Sequence, residues 1–159
     1  MIRAILACDD GWGIGKDNKL PWPHNSADLK WFKECTYNGI VVMGRNTWDS
    51  LPSKPLKGRT NMVVSDTMSP RNDCEVVKSD IFKSRMSVVK GHETRDLWVI
   101  GGAKLFSTAL DIIDEIWLSR IEYEYGCDVF LPSSDIKSQF VLSENMFGEG
   151  LHIEKWTRK

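Results

Sequence analysis

Asp28, Trp31, Phe32 and Cys35 stand at i, i+3, i+4 and i+7 in the stretch SADLKWFKEC. On a helix these four share one face, so a carboxylate points the same way as two aromatic rings and a thiol. An acid near a helix start is ordinarily there for the helix dipole. On an apolar stripe it also loses hydration unless something hydrogen-bonds to it, and acids buried in pockets are often functional. A flat cationic or amidine-like group with two N–H donors would suit such a carboxylate. Two glycine sites could serve a second ligand. Gly44-Arg45-Asn46-Thr47 directly follows the apolar run 40–43, which reads equally as a phosphate cradle and as an ordinary strand–helix turn with a surface arginine. Gly101-Gly102 ends the apolar run 97–100. A glycine pair where a strand meets a helix permits close approach of a ligand or an unusual backbone conformation.

A third glycine-rich stretch, DDGWGIGKDNKLPWP, follows the apolar run 2–8. It is not a dinucleotide fingerprint: Lys16 occupies the third glycine position, and Pro21 lies where the helix should run. It is not a phosphate-binding P-loop either, because Asp10 takes the first glycine position and Asp17 follows the lysine. Pro21 and Pro23 exclude a regular helix or central strand. What remains is a long, flexible loop of the kind that serves as a functional lid. Trp12, Ile14, Leu20 and Trp22 argue against disorder.

The elements that must hold these residues follow from hydrophobic periodicity. Ser26 is expected to cap a helix beginning at Ala27, with Asp28 in its first turn. Strands are expected over residues 2–8, 40–43, 60–65, 74–78, 97–100 and 115–121, and helices from Gly44, over 81–88 and over 103–113. Residues 90–96 read as a polar loop, and 123–132 as an irregular connection. Residues 139–144 and 151–159 form an antiparallel pair at the sheet edge. The alternation predicts a single-domain α/β fold over residues 1–159: an open, mostly parallel twisted sheet of about eight strands flanked by helices, closed by a C-terminal antiparallel pair. In such sheets ligands sit at the carboxyl ends of the strands, where the glycine-rich loop, Asp28, Gly44–Thr47 and the Gly101-Gly102 pair all fall.

Composition narrows the class. The 159 residues are 42% hydrophobic and 27% charged, with 21 Lys and Arg against 22 Asp and Glu, for a net charge of −1. That balance gives no nucleic-acid footprint and no membrane-surface patch. No apolar run approaches membrane-spanning length, and the N-terminus has no signal-peptide architecture, so a cytoplasmic location is expected, and the chain is taken as a monomer. Cys8, Cys35, Cys74 and Cys127 form no C-x-x-C pair and read as free thiols, while His24, His92 and His152 are scattered; no metal site is expected.

In chain order the landmarks are GIGKDNKLPW, ADLKWFK, VVMGRNTWDSLP, PLKGRTNMVVS, WVIGGAKLF and DVFLP. Together they resemble dihydrofolate reductase over essentially the whole chain. The resemblance implies hydride transfer from NADPH to dihydrofolate, in support of one-carbon metabolism and nucleotide synthesis, and a site open to antifolate inhibitors. By position, Asp28 would grip the pteridine through its 2-amino group and N3, with Ser119 behind the carboxylate. Phe32, Leu51 and Leu56 would flank the pteridine and aminobenzoyl portion, Arg59 would pair with the glutamate α-carboxylate, and the carbonyls of Ile5 and Ile100 would contact the 4-amino substituent of antifolate inhibitors. Ala7, Ile14, Gly15 and Leu20 would border the nicotinamide, with Asn18 and Trp22 in the mobile loop; Leu20 and Trp22 are counted with Asp28 and Ser119 in the catalytic set. Gly44, Arg45, Asn46 and Thr47 would hold cofactor phosphates. Gly101 and Gly102 resemble the family's cis Gly-Gly link, followed by Ala103, Lys104, Leu105 and Phe106 as further cofactor contacts. Ser65 would face the ribose phosphate, and Asp66, which favours an unphosphorylated ribose, would point into solvent.

The sequence departs from the family pattern at several positions. One extra residue separates Trp22 from the helix, Ser119 replaces a threonine, Phe106 stands where tyrosine is frequent, and Val129 replaces a threonine. Two other readings are consistent with parts of the pattern: a pyrimidine reductase of the riboflavin-synthesis type, and a folate- or nucleotide-binding protein without turnover.

Overall fold

A computed structural model describes residues 1–17 and 19–159. The first strand, β1 (Ile2–Cys8), enters the centre of the sheet, and a short strand β2 (Gly13–Gly15) follows within the glycine-rich stretch. Helix α1 (Ser26–Thr36) leads to β3 (Ile40–Gly44), α2 (Arg45–Ser50), β4 (Thr60–Val64) and β5 (Glu75–Val77). Then come α3 (Phe82–His92), β6 (Leu97–Gly101), α4 (Ala103–Ala109) with a 3₁₀ turn (Leu110–Ile112), and β7 (Glu115–Arg120). The chain ends with β8 (Val129–Phe130), α5 (Ser133–Gln139), β9 (Phe140–Gly148) and β10 (Leu151–Arg158).

Eight strands form one sheet in the order β5-β4-β3-β6-β1-β7-β10-β9. The pairs from β5 through β7 are parallel, and β10 pairs antiparallel with both β7 and β9. The central strands are apolar on both faces because helices cover both. Alternation sorts the side chains. Ile2, Ala4, Ile40, Val42, Leu97, Val99, Ile116 and Leu118 enter one core, with Phe82 and Met86 of α3, Phe106 of α4 and Ile136 of α5. Ile5, Val41, Met43, Val63 and Trp98 enter the other, against Trp31, Phe32 and Cys35 of α1 and Trp48 of α2. The predicted stripe on α1 is thus the stripe that packs on the sheet, and it carries Asp28 inward.

Several local expectations are corrected. The cap of α1 is Asn25 rather than Ser26: its Oδ1 accepts from the Asp28 N–H at 3.1 Å, and its Nδ2 donates to the Gly150 carbonyl at 3.2 Å. One residue thereby fixes the helix start and ties it to the β9–β10 hairpin. Helix α3 runs to His92, through the first part of the expected polar loop, with Phe82 and Met86 as its buried anchors. Residues 123–132 are not wholly irregular, since β8 pairs antiparallel with β2 in a separate two-stranded sheet. Leu131 N–H donates to Trp12 O at 2.9 Å, Asp128 N–H to Gly15 O at 3.0 Å, and Asp17 N–H to the Asp128 carboxylate at 3.1 Å. The glycine-rich stretch is therefore bonded to a partner segment more than a hundred residues away. Among the described residues, no helix is long and apolar enough to cross a membrane.

Candidate active site

Parallel strands β1, β3 and β6 all deliver their carboxyl ends to one side of the sheet, and a cleft of about 1270 Å³ opens there. Pockets for one small molecule commonly measure roughly 300–1,000 Å³, so this one has room for two ligands side by side. One half is lined by Ile5, Asp28, Phe32, Leu51, Ile100 and Ser119. The other half is lined by Gly44, Arg45, Asn46, Thr47, Ser65, Asp66 and the run Gly101 to Leu105. Ala7, Ile14, Gly15 and Leu20 lie on the wall as well.

Asp28 carries the electrostatics of the first half. Burial pushes its carboxyl above the ordinary carboxylate value, and the Ser119 hydroxyl facing it acts in the opposite direction. Among the described residues no cation pairs with it, so the side chain is a desolvated acceptor without a protein counter-charge. Such a group gains most from a ligand that brings its own N–H donors.

The second half is built around backbone. The Gly101–Gly102 peptide is cis, and Gly101 has φ 133°, a conformation that favours glycine. A Cβ on Gly101 or Gly102 would sit 3.4 or 3.8 Å from Thr47 Oγ1, and one on Gly44 would be 3.8 Å from the Gly102 nitrogen. The ends of β3 and β6 thus meet with only backbone and one hydroxyl between them. Arg45 directs Nε to both oxygens of Asp49 at 3.1 Å, which orients the rest of its guanidinium. Ser65 Oγ accepts from Thr67 N–H at 3.3 Å and Met68 N–H at 3.1 Å, leaving its O–H as a donor. A dinucleotide with phosphates and a phosphorylated ribose fits this donor set: backbone approach at the glycines, cations at Arg45 and Lys104, and an oriented hydroxyl at Ser65.

Asp66 does not simply point into solvent. Its carboxylate accepts from Ser79 N–H at 2.9 Å and Ser79 Oγ at 2.7 Å, and these bonds hold it below the usual carboxylate range. It is exposed, yet it is fixed on the cleft wall next to Ser65. Other expected contacts lie away from the cleft. Phe106 is fully buried in the core, where an aromatic ring with no hydroxyl packs without a polar debt. Trp22 is buried and lines a separate polar cavity, edge-on to Tyr125 at 6.2 Å. Leu56 packs against the same core as Phe32 and Leu51 without lining the cleft, and Arg59 stands over the Phe32 ring at 6.0 Å. The expected cofactor contact at Asn18 lies outside the described residues. Leu29, Ser79 and Val129 line the cleft without having been expected there. Leu29 follows Asp28 on an exposed helix face, and Val129 reaches the site only through the β2–β8 pairing.

The sequence pattern of the dihydrofolate reductase family matches residues 1–151. The chain belongs to the dihydrofolate reductase family. It is 36% identical over 132 residues to a dihydrofolate reductase of Ureaplasma parvum, covering 82% of this chain and 81% of that one. It is also 37% identical over 144 residues to a bifunctional dihydrofolate reductase-thymidylate synthase of Paramecium tetraurelia, covering 88% of this chain but only 30% of that larger protein. A dihydrofolate reductase from Enterococcus faecalis, complexed with NADP(H) and RAB-propyl, superposes with a TM-score of 0.81 at 27% identity, covering 100% of this chain and 96% of that one. The protein is an oxidoreductase that reduces dihydrofolate with NADPH.

Proposed function

We propose that Asp28 holds the pteridine of 7,8-dihydrofolate and that Gly44–Thr47 with Gly101–Leu105 hold NADPH against it. When bound, the nicotinamide supplies the hydride that reaches C6 of dihydrofolate. The chain's own residues bind, orient and exclude water. Asp28, ionised at neutral pH, accepts from the 2-amino group and N3, and so polarises the ring without reaching N5 itself. Ser119 holds the carboxylate, the proton for N5 comes from water, and Phe32 and Leu51 pack on the substrate's rings. Leu56 flanks the aminobenzoyl portion, and Arg59 pairs with the substrate's α-carboxylate. Ile5 and Ile100 line the pteridine part of the cleft, where their carbonyls suit the 4-amino group of antifolate inhibitors. Ala7, Ile14, Gly15 and Leu20 wall the nicotinamide, which keeps the reacting atoms dry and aligned. The protein works as a cytoplasmic monomer on small molecules, with no nucleic-acid or membrane partner. The observation that carries this reading is the desolvated, cation-free Asp28 carboxyl on the same cleft as the glycine-lined ends of β3 and β6.

The decisive assay follows the absorbance of reduced nicotinamide with dihydrofolate and, separately, with a ribosylamino-pyrimidine. Oxidation with dihydrofolate alone supports the proposal; oxidation only with the pyrimidine, or binding of folate without turnover, overturns it.

Cofactor choice is set by the pair Asp66–Ser79. A fixed acid beside a ribose disfavours an added phosphate, while Arg45, Lys104 and the Ser65 hydroxyl favour it. NADPH is expected to win by a reduced margin. Asp66→Ser removes the acid and releases Ser79 Oγ as a donor, so the ratio of kcat/KM for NADPH over NADH should rise about tenfold or more, the size of one charge-assisted contact. An unchanged ratio, or a wild-type preference for NADH, would contradict this balance.

A further inference from the structure

Asp9 is the first residue of the glycine-rich stretch, and its side chain is outside the cleft. It is nonetheless 2% exposed, a buried acid with no role in the reaction described above. Its Oδ1 accepts from Gly11 N–H at 2.9 Å and Gly13 N–H at 2.7 Å. Its Oδ2 accepts from Tyr125 N–H at 3.0 Å and Cys127 Sγ at 3.4 Å. One oxygen therefore serves the glycine-rich segment and the other serves the segment that carries β8. Contact between the two is close: a Cβ on Gly13 would stand 2.4 Å from both Cβ and Sγ of Cys127 and 3.0 Å from Asp9 Oδ1. Downstream of this point Ile14, Gly15 and Leu20 form part of the cleft wall, and Val129 joins them from the partner segment.

We infer that Asp9 is a positioning residue for the reaction: its carboxylate ties the glycine-rich segment to residues 125–127 and so sets where Ile14, Gly15 and Leu20 stand over the nicotinamide half of the cleft. The inference rests on the function proposed above. Burial pushes the Asp9 carboxyl up, but the N–H donors of Tyr125 and Gly13 outweigh it and hold the group below its ordinary value, so the tie is an ionised acceptor at neutral pH. Both segments donate to it, and only a group with two acceptor oxygens can satisfy both. An amide cannot: whichever way Asn is turned, its NH₂ meets one pair of donors.

Asp9→Asn is therefore expected to release one segment. In the protein without ligands, amide hydrogen exchange at Gly11, Gly13 and Tyr125 should accelerate about tenfold or more while β3 stays protected. In single turnover with NADPH and its 4-deuterated form, hydride transfer should slow on the order of tenfold, as small misplacements do, with KM for dihydrofolate within about twofold of wild type. A size-based pair tests the same spacing with the carboxylate and its backbone N–H donors kept, giving up only the Cys127 Sγ contact. Gly13→Ala should slow hydride transfer by a similar factor, and Gly13→Ala with Cys127→Gly should recover most of it, because the obstructing side chain is gone. Exchange and hydride transfer in Asp9→Asn both within about twofold of wild type would overturn the inference. So would failure of Cys127→Gly to rescue Gly13→Ala, which decides the matter if Asp9→Asn loses protection throughout the sheet. A wild-type protein that does not oxidise NADPH with dihydrofolate would count against the proposed reaction, and the exchange pattern alone would then judge the Asp9 tie.

Discussion

Asp28→Asn is expected to keep the fold and lose turnover on the order of tens-fold or more, because charge-assisted bonds in closed sites contribute roughly 1.5–3 kcal/mol. Asparagine keeps the shape, but it offers one acceptor where the pteridine presents two donors, and it carries no charge to polarise the ring. The same substitution has an opposite effect on stability. The Asp28 carboxyl is raised in the folded protein by burial, so the folded state binds its proton more tightly than the unfolded chain does. Its contribution is therefore neutral below the unfolded value of about 3.9 and becomes increasingly unfavourable as pH rises from there through the folded value. Asp28→Asn should raise the Tm at neutral pH, and the gain should vanish on acidification. Near-normal turnover in the variant, or a Tm gain that grows toward acid pH, would remove Asp28 from its assigned place.

Arg59→Lys should weaken folate binding on the order of tenfold and leave cofactor binding nearly unchanged. The guanidinium is already oriented: Nε donates to the Lys57 carbonyl at 2.9 Å, Nη1 donates to Thr36 Oγ1 at 3.2 Å, and the plane lies over Phe32. Nη2 has no protein acceptor among the described residues, which suits the fork for a carboxylate. Lysine keeps the charge and loses both the anchoring and the bidentate geometry. Thr36 is fully buried and donates its own hydroxyl to Phe32 O at 2.8 Å, so the anchor is rigid. Separate titrations of folate and cofactor by quenching of tryptophan fluorescence measure the two affinities. Equal weakening of both would show that Arg59 does not read the substrate.

Much of this arrangement was legible because it depends on local pattern. Continuous apolar runs at 40–43 and 97–100 read as strands covered on both faces, and each ends in the glycines that line the cleft. The spacing of Asp28, Trp31, Phe32 and Cys35 was enough to turn the carboxylate toward the sheet. What escaped the sequence depends on distant partners. Strand β2 is three residues of Gly-Ile-Gly, with no periodicity to read, and it exists because β8 pairs with it. Helix α5 is SSDIKSQ, polar except for the buried Ile136. Asn25 replaces Ser26 as the cap because its amide also reaches Gly150, a contact no local rule contains. The bond that fixes the exposed Asp66 is hidden for the same reason: it joins Asp66 to Ser79, residues separated by a strand and a loop. Phe106 lay on the expected apolar face of its helix, and its full burial takes it into the core rather than to the cleft.

The central claim is that hydride passes to dihydrofolate within the cleft that holds Asp28. Incubating the protein with dihydrofolate and NADPH deuterated at the transferring position of C4, then locating the label in the product, tests it directly. Tetrahydrofolate carrying one deuterium at C6, formed at a rate that falls sharply in Asp28→Asn, is the predicted result. Unlabelled tetrahydrofolate, or labelled product formed equally fast by Asp28→Asn, would contradict it.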